Sequence, residues 1–408
     1  MTAVSAQYLK RMWSFARALD LALVDEEVER GFRFAIGQRH GERVAYIALY
    51  LGKMMGLARG DLLNLTVAGL LHDLGAIAEF RQCHGDPERM WEHSLVGAAM
   101  VASFPAGEVL APAIRYHHEA PDRDYSVMKV DPEAVPLLAR ILSLADRLDI
   151  MMERHVQNYR ERETLGRWVT ENSGRLVFPE VAAAFARVAT REAFWLNLEQ
   201  PDLPNIVLEQ LEAQEITLSG GELDQGFTDL LAEMFAGLVD QKSKFTARHS
   251  YVVAETVQEL AAALGWDKEK QREIYLAGLL HDLGKLAVPN KILDKAGKLD
   301  AAELEIIRTH TYYTHRLLTE AGFPRDLVEW AAFHHERLDG RGYPFGVAST
   351  ELTLGSRLMT IADIFAALTE ERPYRQALSA GEALEILAQG AGTSVDAELL
   401  QVARQALG

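Results

Sequence analysis

Seven residues in the second half of the chain have the types and spacing of a site for two metal ions: His249, His281, Asp282, His310, His334, His335 and Asp363. An imidazole ligates through one ring nitrogen, whereas a carboxylate has two oxygens and can bridge two ions. Adjacent helical residues point about 100° apart, so His281 and Asp282 can serve one cleft without competing for a single ion. His334 and His335 diverge in the same way. Five imidazoles and two carboxylates suit a pair of first-row ions such as iron or manganese. They suit magnesium and calcium, which favour oxygen ligands, less well. Two ions a few ångströms apart activate a water and clamp a phosphate for in-line displacement. Asp282 is the expected bridge. Lys285 lies four residues after His281, on the same face if the helix continues that far, where a cation can hold a phosphate oxygen or offset developing charge.

A lone His-Asp pair is a weak signal, but this one occurs twice. From His40 to His72 is 32 residues, as from His249 to His281; from His93 to His117 is 24, as from His310 to His334. From His117 to Asp146 is 29, as from His334 to Asp363, and only the 21 residues from His72 to His93 differ from the 29 between His281 and His310. Ten of the 13 histidines fall on this frame, leaving His84, His155 and His315. Unrelated core or surface histidines would not repeat three spacings, so the pattern reads as a duplicated metal site. The first copy is His40, His72, Asp73, His93, His117, His118 and Asp146.

The elements that must hold these residues read as helices throughout. Residues 1 to 35 form an amphipathic pattern through Trp13, Phe15, Ala18, Leu21 and Leu23. His40 leads Val44, Ile47, Ala48 and Leu51 as His249 leads Val253, Val257, Leu260 and Leu264. Trp91-Glu92-His93-Ser94 opens a further helix, and Leu142 to Asp146 lies on an apolar one. Residues 173 to 180 ahead of an Ala-rich helix match 392 to 396 ahead of residues 397 to 407. Ser219-Gly220-Gly221 is the clearest linker signal, and a helix from Leu223 to Lys244 follows it. The expected architecture is all-α, with two tandem helical bundle domains at 1–215 and 216–408.

The 408 residues suffice for two domains, and 49% apolar content supplies their cores. A net charge of −17 argues against binding DNA or RNA polymers or docking on an acidic lipid surface. One cysteine, Cys83, excludes a disulfide framework and fits a reducing compartment. Without a signal-peptide pattern or a stretch of membrane-spanning length, a cytoplasmic protein is expected.

Residues 240 to 385 resemble the HD-GYP branch of the HD phosphohydrolase superfamily. The matching segments are 245–250, His281-Asp282-Leu283-Gly284-Lys285, and His334-His335-Glu336 continuing through Asp339-Gly340-Arg341-Gly342-Tyr343-Pro344. Ala362-Asp363 and Arg372-Pro373-Tyr374-Arg375 complete the set. The resemblance implies a metal-dependent phosphodiesterase that linearises cyclic dinucleotides, above all cyclic di-GMP, to pGpG and/or GMP. It assigns Asp282 and Lys285 to catalysis and Lys285, Tyr343, Arg372 and Arg375 to substrate. Arginines grip phosphate or a guanine edge, and an aromatic ring supplies a stacking face. Members with a third metal tend to carry a glutamate four residues before the first histidine. Phe245 stands there, so two ions are expected.

The first half resembles the wider HD superfamily. Its ligand set is complete, but Ala76 replaces the lysine and no Gly-Tyr-Pro loop or Arg-Pro-Tyr-Arg follows. A regulatory or structural domain, with further metal of its own, is the expected role; a hydrolase for a smaller nucleotide is the other. Alternatives for the whole chain are a 3′,3′-cyclic GMP-AMP phosphodiesterase and a non-catalytic cyclic-dinucleotide receptor. A homodimer is the assembly left open.

Overall fold

The computed structural model describes residues 3–22, 39–78, 87–152, 159–212, 225–242, 248–295, 297–371 and 376–408. The described residues fall into two compact units, one ending before Gln225 and the other running from Gln225 to Gly408. Both are helical. Among the described residues the only β-type pairings are the isolated bridges Ser173–Val177 and Ala391–Val395. Each forms the turn ahead of the helix expected there, Pro179–Val188 and Ala397–Ala406.

The first unit is built around the helices His40–Met55 and Arg59–Leu71, which pack on each other and on Leu137–Met151. Apolar residues on the inward face of the first of these, Val44 to Leu51, are almost wholly buried. Gly56 in the left-handed region ends that helix. The second unit repeats the plan with His249–Ala263, Lys268–Leu280 and Leu354–Thr369. A capping box of Asp300 and Glu303 starts its long helix Ala301–Glu320, a device that stabilises a helix end by about 1 kcal/mol.

One boundary differs from the sequence reading, and two expected helices run into residues outside the described set. The first helix spans Ala3–Ala22, and residues 23–38 lie outside the described set. The helix bearing His93 begins at Pro87 rather than Trp91, because proline fits a first turn whose N–H would be unbonded anyway. The helix ahead of His249 spans Gln225–Lys242. The linker 219–221, Phe245 and Cys83 lie outside the described residues.

Two candidate metal centres

In each unit the His-Asp pair stands where a helix stops. His281 caps Lys268–Leu280, Asp282 leaves the α-helical region, and a short 3-10 turn Leu283–Ala287 follows. The helix therefore does not continue to Lys285, contrary to the condition the sequence reading set. Packing gives the reason: a Cβ on Gly284 would lie 1.9 Å from the carbonyl oxygen of His310. The chain must turn there to let the His310 helix lie against it. Thr314 fastens this crossing, accepting from the Gly284 N–H at 2.9 Å and donating to the His281 carbonyl at 3.0 Å. Gly75 meets the His93 carbonyl in the same way, at 2.2 Å.

The two oxygens of Asp282 face different partners. Its Oδ2 lies 3.1 Å from His281 Nε2 and 3.9 Å from His249 Nε2. Its Oδ1 lies 3.3 Å from His310 Nε2 and 4.0 Å from His334 Nε2. Asp363 divides likewise, with Oδ1 at 3.2 Å from His249 and Oδ2 at 3.9 Å from His335. The seven residues thus sort into two groups that share Asp282 and Asp363. Candidate ligand atoms of His249, His281 and Asp363 lie within 4.8 Å of one another, as do those of His310, His334 and His335.

Hydrogen bonds on the far nitrogens fix which nitrogen faces the cleft. Nδ1 of His281, His310 and His334 donates to the carbonyl three residues earlier, at Gly278, Ile307 and Ala331, over 2.6 to 2.7 Å. That leaves each Nε2 as a lone pair, the arrangement by which metal-ligating histidines are oriented. His281 Nε2 and Asp282 Oδ1 are buried with no hydrogen-bond partner. Burial pushes His310 down to about 3, and burial with neighbouring imidazoles holds His334 well below the usual range, so both are neutral. Burial alone would raise the Asp282 carboxyl, but His281, Lys285 and His310 outweigh it and hold it well below the usual carboxylate range. Buried lone pairs beside ionised carboxylates cost free energy unless a cation completes them, so the donor set fits a metal pair.

The first unit reproduces the division. Asp73 Oδ2 lies 3.5 Å from His40 and 3.4 Å from His72, and Oδ1 lies 3.5 Å from His93. Asp146 Oδ1 lies 3.3 Å from His40, and Oδ2 lies 3.9 Å from His118. His72 and His117 bond the carbonyls of Gly69 and Ile114 through Nδ1, leaving His117 Nε2 buried and unpaired.

Three kinds of residue escaped the sequence reading. First, a carboxylate orients the leading histidine in each unit: Glu370 at 2.8 Å from His249 Nδ1, and Asp149 at 2.7 Å from His40 Nδ1. Against the lowering effect of burial, the hydrogen-bonded carboxylates of Asp363 and Glu370 push His249 up to about 9. Asp149 is one helical turn beyond Asp146, a visible signal, whereas Glu370 is seven residues beyond Asp363. The second kind is the glutamate of each His-His-Glu run, which anchors the following loop. Glu336 accepts from the N–H of Phe345 at 2.7 Å and of Gly346 at 3.1 Å; Glu119 accepts from Ser126 Oγ and from the Met128 N–H at 2.7 Å. Gly342 packs so tightly on that anchor that a Cβ there would lie 2.4 Å from Glu336 Cα. Tyr343 is thereby set 4.9 Å, ring to ring, from His335. The third kind is Arg308, whose guanidinium stands 5.1 Å from the centroid of the Tyr343 ring.

Of the residues expected to serve substrate, Lys285 bonds Asp282 Oδ2 at 2.5 Å and Tyr343 stands beside the cluster. Arg372 and Arg375 lie outside the described residues. The surroundings of the two clusters differ. The side chain of His335 is 31% exposed and that of Lys285 20%, so the second cluster opens to solvent. At the matching place His118 is 4% exposed and Ala76 is buried.

Residues 38–151 and 233–399 each match the family profile described as HD domain. The chain belongs to the HD-domain family and carries two such domains in tandem. Over 388 residues it is 32% identical to the 3′3′-cGAMP-specific phosphodiesterase 1 of Vibrio cholerae, covering 91% of this chain and 85% of that protein. A cyclic di-GMP phosphodiesterase of Pseudomonas aeruginosa is 39% identical over 150 residues, 36% of each chain. The crystal structure of a cyclic GMP-AMP specific phosphodiesterase from V. cholerae superposes with a TM-score of 0.69 at 26% identity, covering 98% of this chain and 97% of that one. No described helix is long and apolar enough to cross a membrane.

Proposed function

We propose that the chain is a metal-dependent cyclic-dinucleotide phosphodiesterase whose catalytic centre is the second cluster. The observation that carries this reading is the contrast in access: the second cluster opens at His335 and Lys285, while the first is covered at His118 and Ala76. His249, His281, Asp282 and Asp363 would hold one ion, and Asp282, His310, His334, His335 and Asp363 the other. Iron or manganese suits these nitrogen-rich groups best. When bound, such a pair lowers the pKa of a water and polarises the scissile phosphate.

The chain's own residues then have distinct tasks. Asp282 and Asp363 stay ionised at neutral pH and tie the two groups together. Lys285, seated beside Asp282, offers its ammonium to a phosphate oxygen on which charge builds. Tyr343, fixed by the Glu336 anchor, presents a ring to a base. Arg372 and Arg375 are proposed to grip phosphate or a guanine edge on the strength of the motif.

For the substrate we place 3′,3′-cyclic GMP-AMP ahead of cyclic di-GMP. Both proteins reported above that span nearly the whole chain carry that specificity in their names, whereas the cyclic di-GMP relative covers 36% of it. Cyclic di-GMP stays as the second reading because of the Gly-Tyr-Pro motif. Iron- and manganese-loaded protein, prepared without oxygen, is incubated with each dinucleotide and the products are resolved by chromatography. Linear dinucleotide from cyclic GMP-AMP at the higher kcat/KM is expected. Faster cyclic di-GMP turnover would reverse the order, and no product from either would leave the receptor reading in its place. Partition of native protein into the cytoplasmic fraction checks the compartment.

A further inference from the structure

A cyclic dinucleotide carries two phosphates, and a metal pair can seat only the one being cut. The other needs a cation outside the cluster. Lys285 is engaged with Asp282 at 2.5 Å, which puts it on the side of the scissile phosphate. Arg372 and Arg375 lie outside the described residues, and among the described ones Arg308 answers this need. It lies on helix Ala301–Glu320, two residues before His310, and its guanidinium stands 5.1 Å from the centroid of the Tyr343 ring. Tyr343 in turn lies 4.9 Å, ring to ring, from His335. His335, Tyr343 and Arg308 therefore form a ladder leading outward from the cluster. Arg308 is exposed, and no hydrogen bond or ion pair to a carboxylate occupies its guanidinium among the described residues. In a chain of net charge −17, such an arginine at a cleft mouth is set up to receive an anion.

The first unit makes the comparison. The residue two before its third histidine is Trp91, 46% exposed, and the lysine position is Ala76. At neither matching place does that cleft carry a cation. Among the described residues the differences between the halves thus include a pair of positive charges, one beside the second cluster and one a ring-stack beyond Tyr343.

We propose that Arg308 binds the second, non-scissile phosphate of the cyclic dinucleotide and so selects two-phosphate rings over simple diesters; this rests on the substrate reading above. The test compares full-length metal-loaded wild type with Arg308→Ala and Arg308→Lys on 3′,3′-cyclic GMP-AMP, cyclic di-GMP and bis(p-nitrophenyl) phosphate, a diester with one phosphate. Losing a charged hydrogen bond made in the ground state should raise KM for the dinucleotide about tenfold or more. Lysine should recover part of that loss, because it keeps the charge but not the fork. Hydrolysis of the one-phosphate ester and the bound metal should stay at wild-type values. Equal losses on both kinds of ester, or none on the dinucleotide, would overturn the role of Arg308 alone. Wild-type protein that cleaved the simple ester but neither dinucleotide would overturn the substrate reading, and this role with it.

Discussion

Asp73 and Asp282 present their oxygens to corresponding histidines, and Asp146 and Asp363 do the same. Around this shared frame the two halves diverge. Ala76 stands for Lys285 and Trp91 for Arg308, and the loop held by Glu119 lacks the Gly-Tyr-Pro sequence and carries Tyr125, whose ring meets the Arg175 guanidinium. On the proposal made above, holding ions and holding a substrate are separable properties of one fold. The first needs buried nitrogens aimed by backbone carbonyls, which the helices supply in both halves. The second depends on a few residues at the cleft mouth, which differ without disturbing the core.

The strongest way to stress this comparison is to strip the metal. Chelation should lower dinucleotide hydrolysis on the order of 10³-fold or more, with recovery on adding manganese or iron. It should also lower the thermal stability of both halves, since both clusters leave buried lone pairs behind. Full activity after verified metal removal would undo the assignment. Lys285→Ala is expected to slow kcat by roughly 10- to 100-fold with little change in KM. A change confined to KM would mean that Lys285 only holds the substrate.

The orienting carboxylates come next. Glu370→Gln should weaken metal binding in the second half by about tenfold, measured by titration against a chelator. Asp149→Asn should do so in the first half, and there it also costs stability. Asp149 takes two bonds from Arg43, at 2.5 and 2.9 Å, which the variant would leave without an ionised partner. Equal destabilisation by both variants would deny that difference. Gly342→Ala should raise KM several-fold while leaving bound metal unchanged, because its Cβ displaces the turn that carries Tyr343.

The smallest effect concerns pH. Burial pushes Asp20 up to about 7, against the lowering influence of His40, while it accepts from the Gly41 N–H at 3.3 Å. A carboxyl whose folded pKa is raised contributes stability that is complete below the unfolded value of about 4 and lost as pH rises through the folded one. The first half should therefore lose a few degrees of melting temperature between pH 5 and 7 that Asp20→Asn retains. Parallel curves for the two proteins would contradict this.

The helical class, the duplication and the gathering of each set of histidines and aspartates into one cluster could be read from sequence, because histidine spacing survives wherever two helices keep their register. What could not be read depends on contacts without a fixed spacing. Asp149 and Glu370 do one job at 109 and 121 residues from their histidines, so counting from one copy to the other misses the pair. Arg308 looks like any surface arginine until the Gly-Tyr-Pro loop brings Tyr343 beneath it. The end of the helix at Leu280 follows from the approach of the His310 carbonyl to Gly284, a tertiary contact that local pattern does not announce.

The central claim is that both halves can hold metal but only the second cleaves cyclic dinucleotides. It is tested most directly by assaying Asp73→Ala and Asp282→Ala side by side, in matched metal-loaded preparations whose folding is checked by circular dichroism. Asp282→Ala should abolish hydrolysis and remove the metal of the second half. Asp73→Ala should remove metal from the first half and alter the rate without abolishing it. Equal abolition by both folded variants would place the first cluster in the chemistry and contradict the division of labour.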